Sequence, residues 1–141
     1  MKSAYRVLAT LIAIGVAAQV AFIAFGTFRT SADAEDGVGI DSSYSNTGMD
    51  LHSIGGSVIG ALVIVLLIVS LFAKVPRGRM FALILVGMVA LQFLLAVVSF
   101  GVPVIGVLHG LNGLAIAGVA GFAGRMTRVP QPDAAKQAAE V

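Results

Sequence analysis

The sequence predicts an all-α membrane protein, an up-down bundle of four transmembrane helices. Three observations carry that reading. Hydrophobic residues make up 58% of the 141 residues and charged residues only 11%, whereas a soluble domain of this size needs about 25% charge to cover its surface. The apolar residues gather into four runs, 7–26, 51–73, 80–100 and 104–124, none of which contains an acidic or basic residue. Each run is long enough to cross a hydrocarbon core of about 30 Å as a helix. Finally, the segments between the runs hold the turn formers, with Pro76 and Gly78 in one and Gly101 and Pro103 in another.

Taken in order, Lys2 and Arg6 precede the first run. Ala32-Asp33-Ala34 resembles a signal-peptide cleavage site, but the run before it exceeds the 7–15 apolar residues such a signal carries, so it is read as a membrane helix. Residues 27–50 hold five carboxylates, Asp33, Glu35, Asp36, Asp41 and Asp50, with one base, Arg29, among Ser, Gly and Asn. That composition predicts a long outward-facing loop. Lys74 to Arg79 is a basic turn between the second and third runs, and Gly101-Val102-Pro103 turns the chain into the fourth. Residues 125–141 read as a flexible polar tail.

Eight of the nine basic residues fall on one side of this arrangement, Arg29 being the exception. The positive-inside rule then places both termini in the cytoplasm and the 27–50 loop outside. The basic residues form no stripe with interleaved aromatics, so nucleic-acid binding is not expected. The absence of cysteine excludes disulfides and thiolate metal sites.

The two halves of the chain resemble each other. Leu51-His52-Ser53-Ile54-Gly55-Gly56 opens the second run, and Leu108-His109-Gly110-Leu111-Asn112-Gly113 lies at the start of the fourth. Gln19 and Gln92 are the strongly polar residues deep in the first and third runs. This pattern predicts a duplicated helical hairpin, related by an axis along the membrane normal. Gln19 and Gln92 should point into the bundle, since a lipid-facing amide would be unsatisfied.

His52 and His109 are the only histidines in the chain, and ionisable groups in membrane segments are functional candidates by default. In an up-down bundle the second and fourth helices are diagonal partners, at a separation that suits two imidazoles reaching one central metal. Gly55, Gly56, Asn112 and Gly113 lie one turn inward of the histidines, where missing side chains leave a slot for a flat ligand. The residues therefore point to a haem held by His52 and His109. Gln19, Gln92 and Asn112 are candidates to line it, and Arg29 to meet its propionates, against the plainer reading of Arg29 as an exposed loop charge. Asp50 is a candidate to cap the second helix or to orient His52. The alternative reading of the glycines is packing: Gly56/Gly60, Gly106/Gly110 and Ala117/Gly121 are small-xxx-small pairs that let helices approach.

His52 with Gly55, and Leu108, His109 and Asn112, resemble the recurring helix starts of an uncharacterised family of small bacterial four-helix membrane proteins. More distantly the arrangement resembles one half of the haem A synthase family, a four-helix unit with a haem-ligating histidine on its second and fourth helices. The resemblance implies His52 and His109 as axial ligands of one b-type haem in a bacterial cell membrane. Haem A synthase carries an outer-loop glutamate three residues before its histidine; here that position is Met49. Haem oxidation is therefore not expected, and two histidine ligands leave no open iron position for enzyme chemistry. The expected function is haem binding for electron transfer or as an accessory respiratory subunit. The competing expectation is a cofactor-free structural or assembly subunit, packed in the bilayer against a larger membrane complex.

Overall fold

The computed structural model describes residues 1–128. Its elements are α1 (Lys2–Glu35), α2 (Thr47–Ser70), α3 (Gly78–Gly101), α4 (Ile105–Arg125) and a short 3₁₀ turn at Met126–Arg128, with no strand among the described residues. All four helices are long and apolar enough to cross a membrane. α1 packs beside α2 and α4, and α3 beside α4 and, more thinly, α2. α2 and α4 therefore face each other across a diagonal.

Each helix turns a narrow stripe inward at heptad-like spacing. The buried positions are Tyr5, Ala9, Ile12 and Val16 on α1, Ile59, Val63 and Leu66 on α2, Ala82, Leu85 and Val89 on α3, and Ile116, Ala120 and Ala123 on α4. Steps of three and four residues keep them on one face. The exterior is covered by exposed apolar side chains such as Val97, Leu94 and Phe100, the last 92% exposed. A surface of that kind suits an apolar surrounding such as a lipid bilayer. The buried stripe uses the early residues of α1 and α3 and the late residues of α2 and α4, so the packed core fills the half of the bundle that carries the basic residues. There the Tyr5 hydroxyl donates to the Gly78 carbonyl at 2.9 Å, tying the start of α1 to the start of α3.

The predicted 27–50 loop is much shorter than its composition suggested. α1 continues to Glu35 and α2 begins at Thr47, leaving 36–46 as the connection. Thr27, Thr30 and Ser31 each return a hydroxyl bond to the carbonyl four residues back, and Arg29 pairs with Asp33 one turn on at 2.7 Å. The Arg29–Asp33 pair supports the helix at i,i+4 spacing, and the back-bonds satisfy the Ser and Thr hydroxyls within it. The cap of α2 is Asn46, whose side chain accepts from the backbone N–H groups of Gly48 and Met49 and donates to the Gly26 carbonyl. Asp50 is not the cap; it accepts from the Ser45 hydroxyl instead. Gly26 and Gly48 lie so close that a Cβ built on Gly48 would collide with the Gly26 backbone. At the other end, Lys74 and Arg77 adopt positive φ around Pro76 to make the tight turn into α3. The predicted tail falls mainly on residues 129–141, outside the described residues.

Candidate functional site

Beyond the packed core the bundle opens into a cavity of about 350 Å³. Its floor is one buried aliphatic side chain from each helix, Val16, Ile59, Val89 and Ile116. Its walls include Gln19, His52, Gln92 and His109, with Phe93 and Phe100 on α3. The sequence placed the two histidines on diagonal helices, and the cavity lies between them.

The histidines are held in matching ways. His52 Nδ1 lies 3.1 Å from the backbone oxygen of Gln19. His109 Nδ1 lies 3.1 Å from the backbone oxygen of Gln92. A carbonyl only accepts, so in each neutral ring Nδ1 carries the proton and Nε2 keeps its lone pair. The ring centroids stand 6.1 Å apart with planes at 60°. Each ring is thus oriented by main chain from the preceding helix, the arrangement that fixes the tautomer of a metal-binding imidazole. Asp50 takes no part in orienting His52.

The side-chain amides break the match. The Gln92 amide N–H donates to His109 Nε2 at 3.1 Å, and its oxygen accepts from Asn112 at 2.7 Å. Asn112 also donates to the Met88 carbonyl. His109 is therefore held at both ring nitrogens by one residue, which a second residue steadies. His52 Nε2 has no hydrogen-bond partner among the described residues, and the Gln19 amide oxygen is buried without one. The Gln19 amide nitrogen instead abuts Gly55, where any Cβ would overlap it.

The structure thus brings Gln19, His52, Gly56, Gln92, His109 and Gly113 to the lining of one cavity. Gly55 and Asn112 stand behind that lining, contacting Gln19 and Gln92 respectively. Arg29 is on the protruding end of α1, largely exposed and paired with Asp33, away from the cavity lining. Sequence reasoning missed Ser53, Ser57 and Gly110, which also line the cavity. Ser53 and Gly110 directly follow the histidines and Ser57 lies one turn beyond Ser53, so their positions offered a signal. It missed more completely that the glutamines act through their main chain, which no side-chain pattern reveals.

No family model, curated protein or solved structure matches the chain.

Proposed function

We propose that the protein binds one b-type haem in the bundle cavity, with His52 and His109 as its two axial ligands, and serves in electron transfer or as an accessory respiratory subunit. The observation that carries this reading is the pair of imidazoles, each oriented by a backbone carbonyl, that stand close together in the lining of one largely apolar cavity. Two metal–nitrogen bonds of about 2 Å to a shared ion put imidazole rings roughly 6 Å apart, and the rings stand at 6.1 Å. The described residues hold no group of three or more His, Cys, Asp or Glu that would cage a bare ion. Two ligands suffice for a porphyrin, which brings four in-plane nitrogens of its own. The cavity volume falls within the usual range of cofactor pockets.

A bis-histidine haem supplies one-electron redox chemistry with no open iron position. The chain's own residues do the rest. Gln19 and Gln92 carbonyls hold the ring protons, so both Nε2 lone pairs are available without a proton leaving. The aliphatic floor and the Phe93 and Phe100 side chains give the site a largely apolar lining. His109 would hold the iron through the same Nε2 that now accepts from the Gln92 amide, so the amide would have to give way. Asn112 already bonds the amide oxygen and keeps Gln92 close by when it does.

The matched 3.1 Å bonds of the two glutamine–histidine pairs support reading the chain as two repeated hairpins. The clustering of Lys2, Arg6, Lys74, Arg77, Arg79, Arg125 and Arg128 at one end of the bundle supports a cytoplasmic position for the N-terminus and the end of α4 in a bacterial cell membrane. On that orientation the cavity belongs to the outer half of the bilayer.

The test is an absorption spectrum of the detergent-purified protein, oxidised and then dithionite-reduced. A sharpened Soret band with resolved α and β bands is expected. His52→Ala and His109→Ala should each lose the spectrum while inserting normally into membranes. A preparation that stays colourless after expression with added haem, or an unchanged spectrum in both variants, overturns the assignment in favour of a cofactor-free subunit.

A further inference from the structure

A second hollow, of about 210 Å³, opens at the other end of the bundle between α1 and α4. Arg6, Thr10, Gly121, Gly124, Arg125 and Arg128 line it. Arg6 and Thr10 are one turn apart on α1, while Gly121 and Arg125 are one turn apart on α4, so both pairs face the same groove. Three arginines therefore line one hollow in which no carboxylate of the described residues takes part. The five carboxylates among the described residues, Asp33, Glu35, Asp36, Asp41 and Asp50, all belong to the opposite end, where Arg29–Asp33 is the ion pair recorded.

The groove is shaped as well as charged. A Cβ on Gly121 would meet nothing within 4 Å, so this wall is open, while Gly124 lets α4 approach Ala9 and Thr10 closely. One turn further into the membrane, Gly118 is exposed and equally open, continuing a shallow strip along α4. The depth is defined by the sequence. Arg6 stands just before the apolar run of α1 and Arg125 just after that of α4. The arginines thus lie at the hydrocarbon–water boundary, at the level of lipid phosphates.

We propose that this hollow binds the phosphodiester of an anionic phospholipid, with Arg6, Arg125 and Arg128 around the phosphate, Thr10 donating its hydroxyl, and an acyl chain along the Gly121–Gly118 strip. Guanidinium groups match phosphate oxygens in forked geometry. Among the described residues no carboxylate lines the hollow, so a zwitterionic headgroup's amine finds nothing there to pair with, which selects for anionic lipid. Inorganic phosphate shares the chemistry, but the interfacial position favours the lipid.

The test measures the motionally restricted fraction of spin-labelled phosphatidylglycerol and phosphatidylcholine around the full-length protein in phosphatidylcholine vesicles. Wild type is expected to restrict phosphatidylglycerol preferentially. The Arg6→Gln/Arg125→Gln/Arg128→Gln variant should lose that preference by roughly fivefold per arginine removed. Arg77→Gln/Arg79→Gln, at the same membrane level in the α2–α3 turn, should keep it. All the replaced arginines are exposed, and helical content by circular dichroism checks folding. Should the triple variant unfold, Arg128→Gln alone gives the same reading at one arginine's scale. The proposal is overturned if the arginine variants retain the preference, or if both variant sets lose it equally. Displacement of the label by millimolar inorganic phosphate overturns the lipid as the occupant and leaves a general anion site.

Discussion

Replacing Gln92 with leucine separates two roles that the histidine–glutamine contacts combine. The backbone carbonyl that orients His109 Nδ1 is untouched by the substitution. What disappears is the amide, with its bond to His109 Nε2 at 3.1 Å and its bond from Asn112 at 2.7 Å. Side-chain hydrogen bonds inside membrane bundles average about 0.6 kcal/mol each, so the haem-free protein should lose roughly 1 kcal/mol of stability. The bond to Nε2 also competes with any metal for the same lone pair. Removing a competitor worth about 0.6 kcal/mol should tighten haem binding about threefold, and at most about twentyfold at the upper measured value near 1.7 kcal/mol. Gln19→Leu removes no bond to His52 Nε2 and should leave affinity nearly unchanged. Growth of the Soret band during haem titration in detergent, with thermal unfolding of the haem-free protein, measures both quantities. Haem binding at least tenfold weaker in Gln92→Leu, with unchanged haem-free stability, would refute the reasoning, because the amide would then be supporting the ligand and not competing for it.

Three further outcomes follow from the fold. Tyr5→Phe removes the buried bond to the Gly78 carbonyl and should cost about 1 kcal/mol, read as a lower midpoint of thermal unfolding in detergent. Gly48→Ala forces a methyl group onto the Gly26 backbone and should cost about 1–3 kcal/mol, while Gly118→Ala, facing open space, should unfold like wild type; equal midpoints for the two would contradict the close α1–α2 approach. At the end of the bundle near the α1–α2 connection, the hydrogen bond from Tyr44, at 2.7 Å, outweighs the opposing effect of desolvation and, with smaller help from Arg29, holds the Asp33 carboxyl below its usual range. A carboxylate with a depressed folded-state pKa stabilises above its unfolded value and loses that contribution as pH falls through the folded one. The hydrogen-exchange protection factor of the 36–46 connection, taken relative to the intrinsic rate at each pH, should therefore decrease at pH below about 4, and Tyr44→Phe should lower it at neutral pH.

The sequence by itself determined the four helices, because a run of 20 or more uncharged residues has no stable state in a bilayer other than a spanning helix. It singled out His52 and His109 for the same reason: ionisable groups in such runs are costly enough to be rare. Their places on the second and fourth helices made them diagonal partners before any coordinates were known. Composition misjudged residues 27–35, because the Arg29–Asp33 pair supports a helix that residue type alone disfavours, and the serine and threonine hydroxyls are satisfied by its own carbonyls. Only the tertiary structure decided which groups orient the histidines. A backbone carbonyl has the same chemistry at every position, so nothing in the letters Gln19 or Gln92 could show that their main chain, brought against the next helix by packing, would hold the rings. The convergence of Arg6, Arg125 and Arg128 was equally invisible, since residues 119 positions apart in the chain meet only when α1 and α4 pack together.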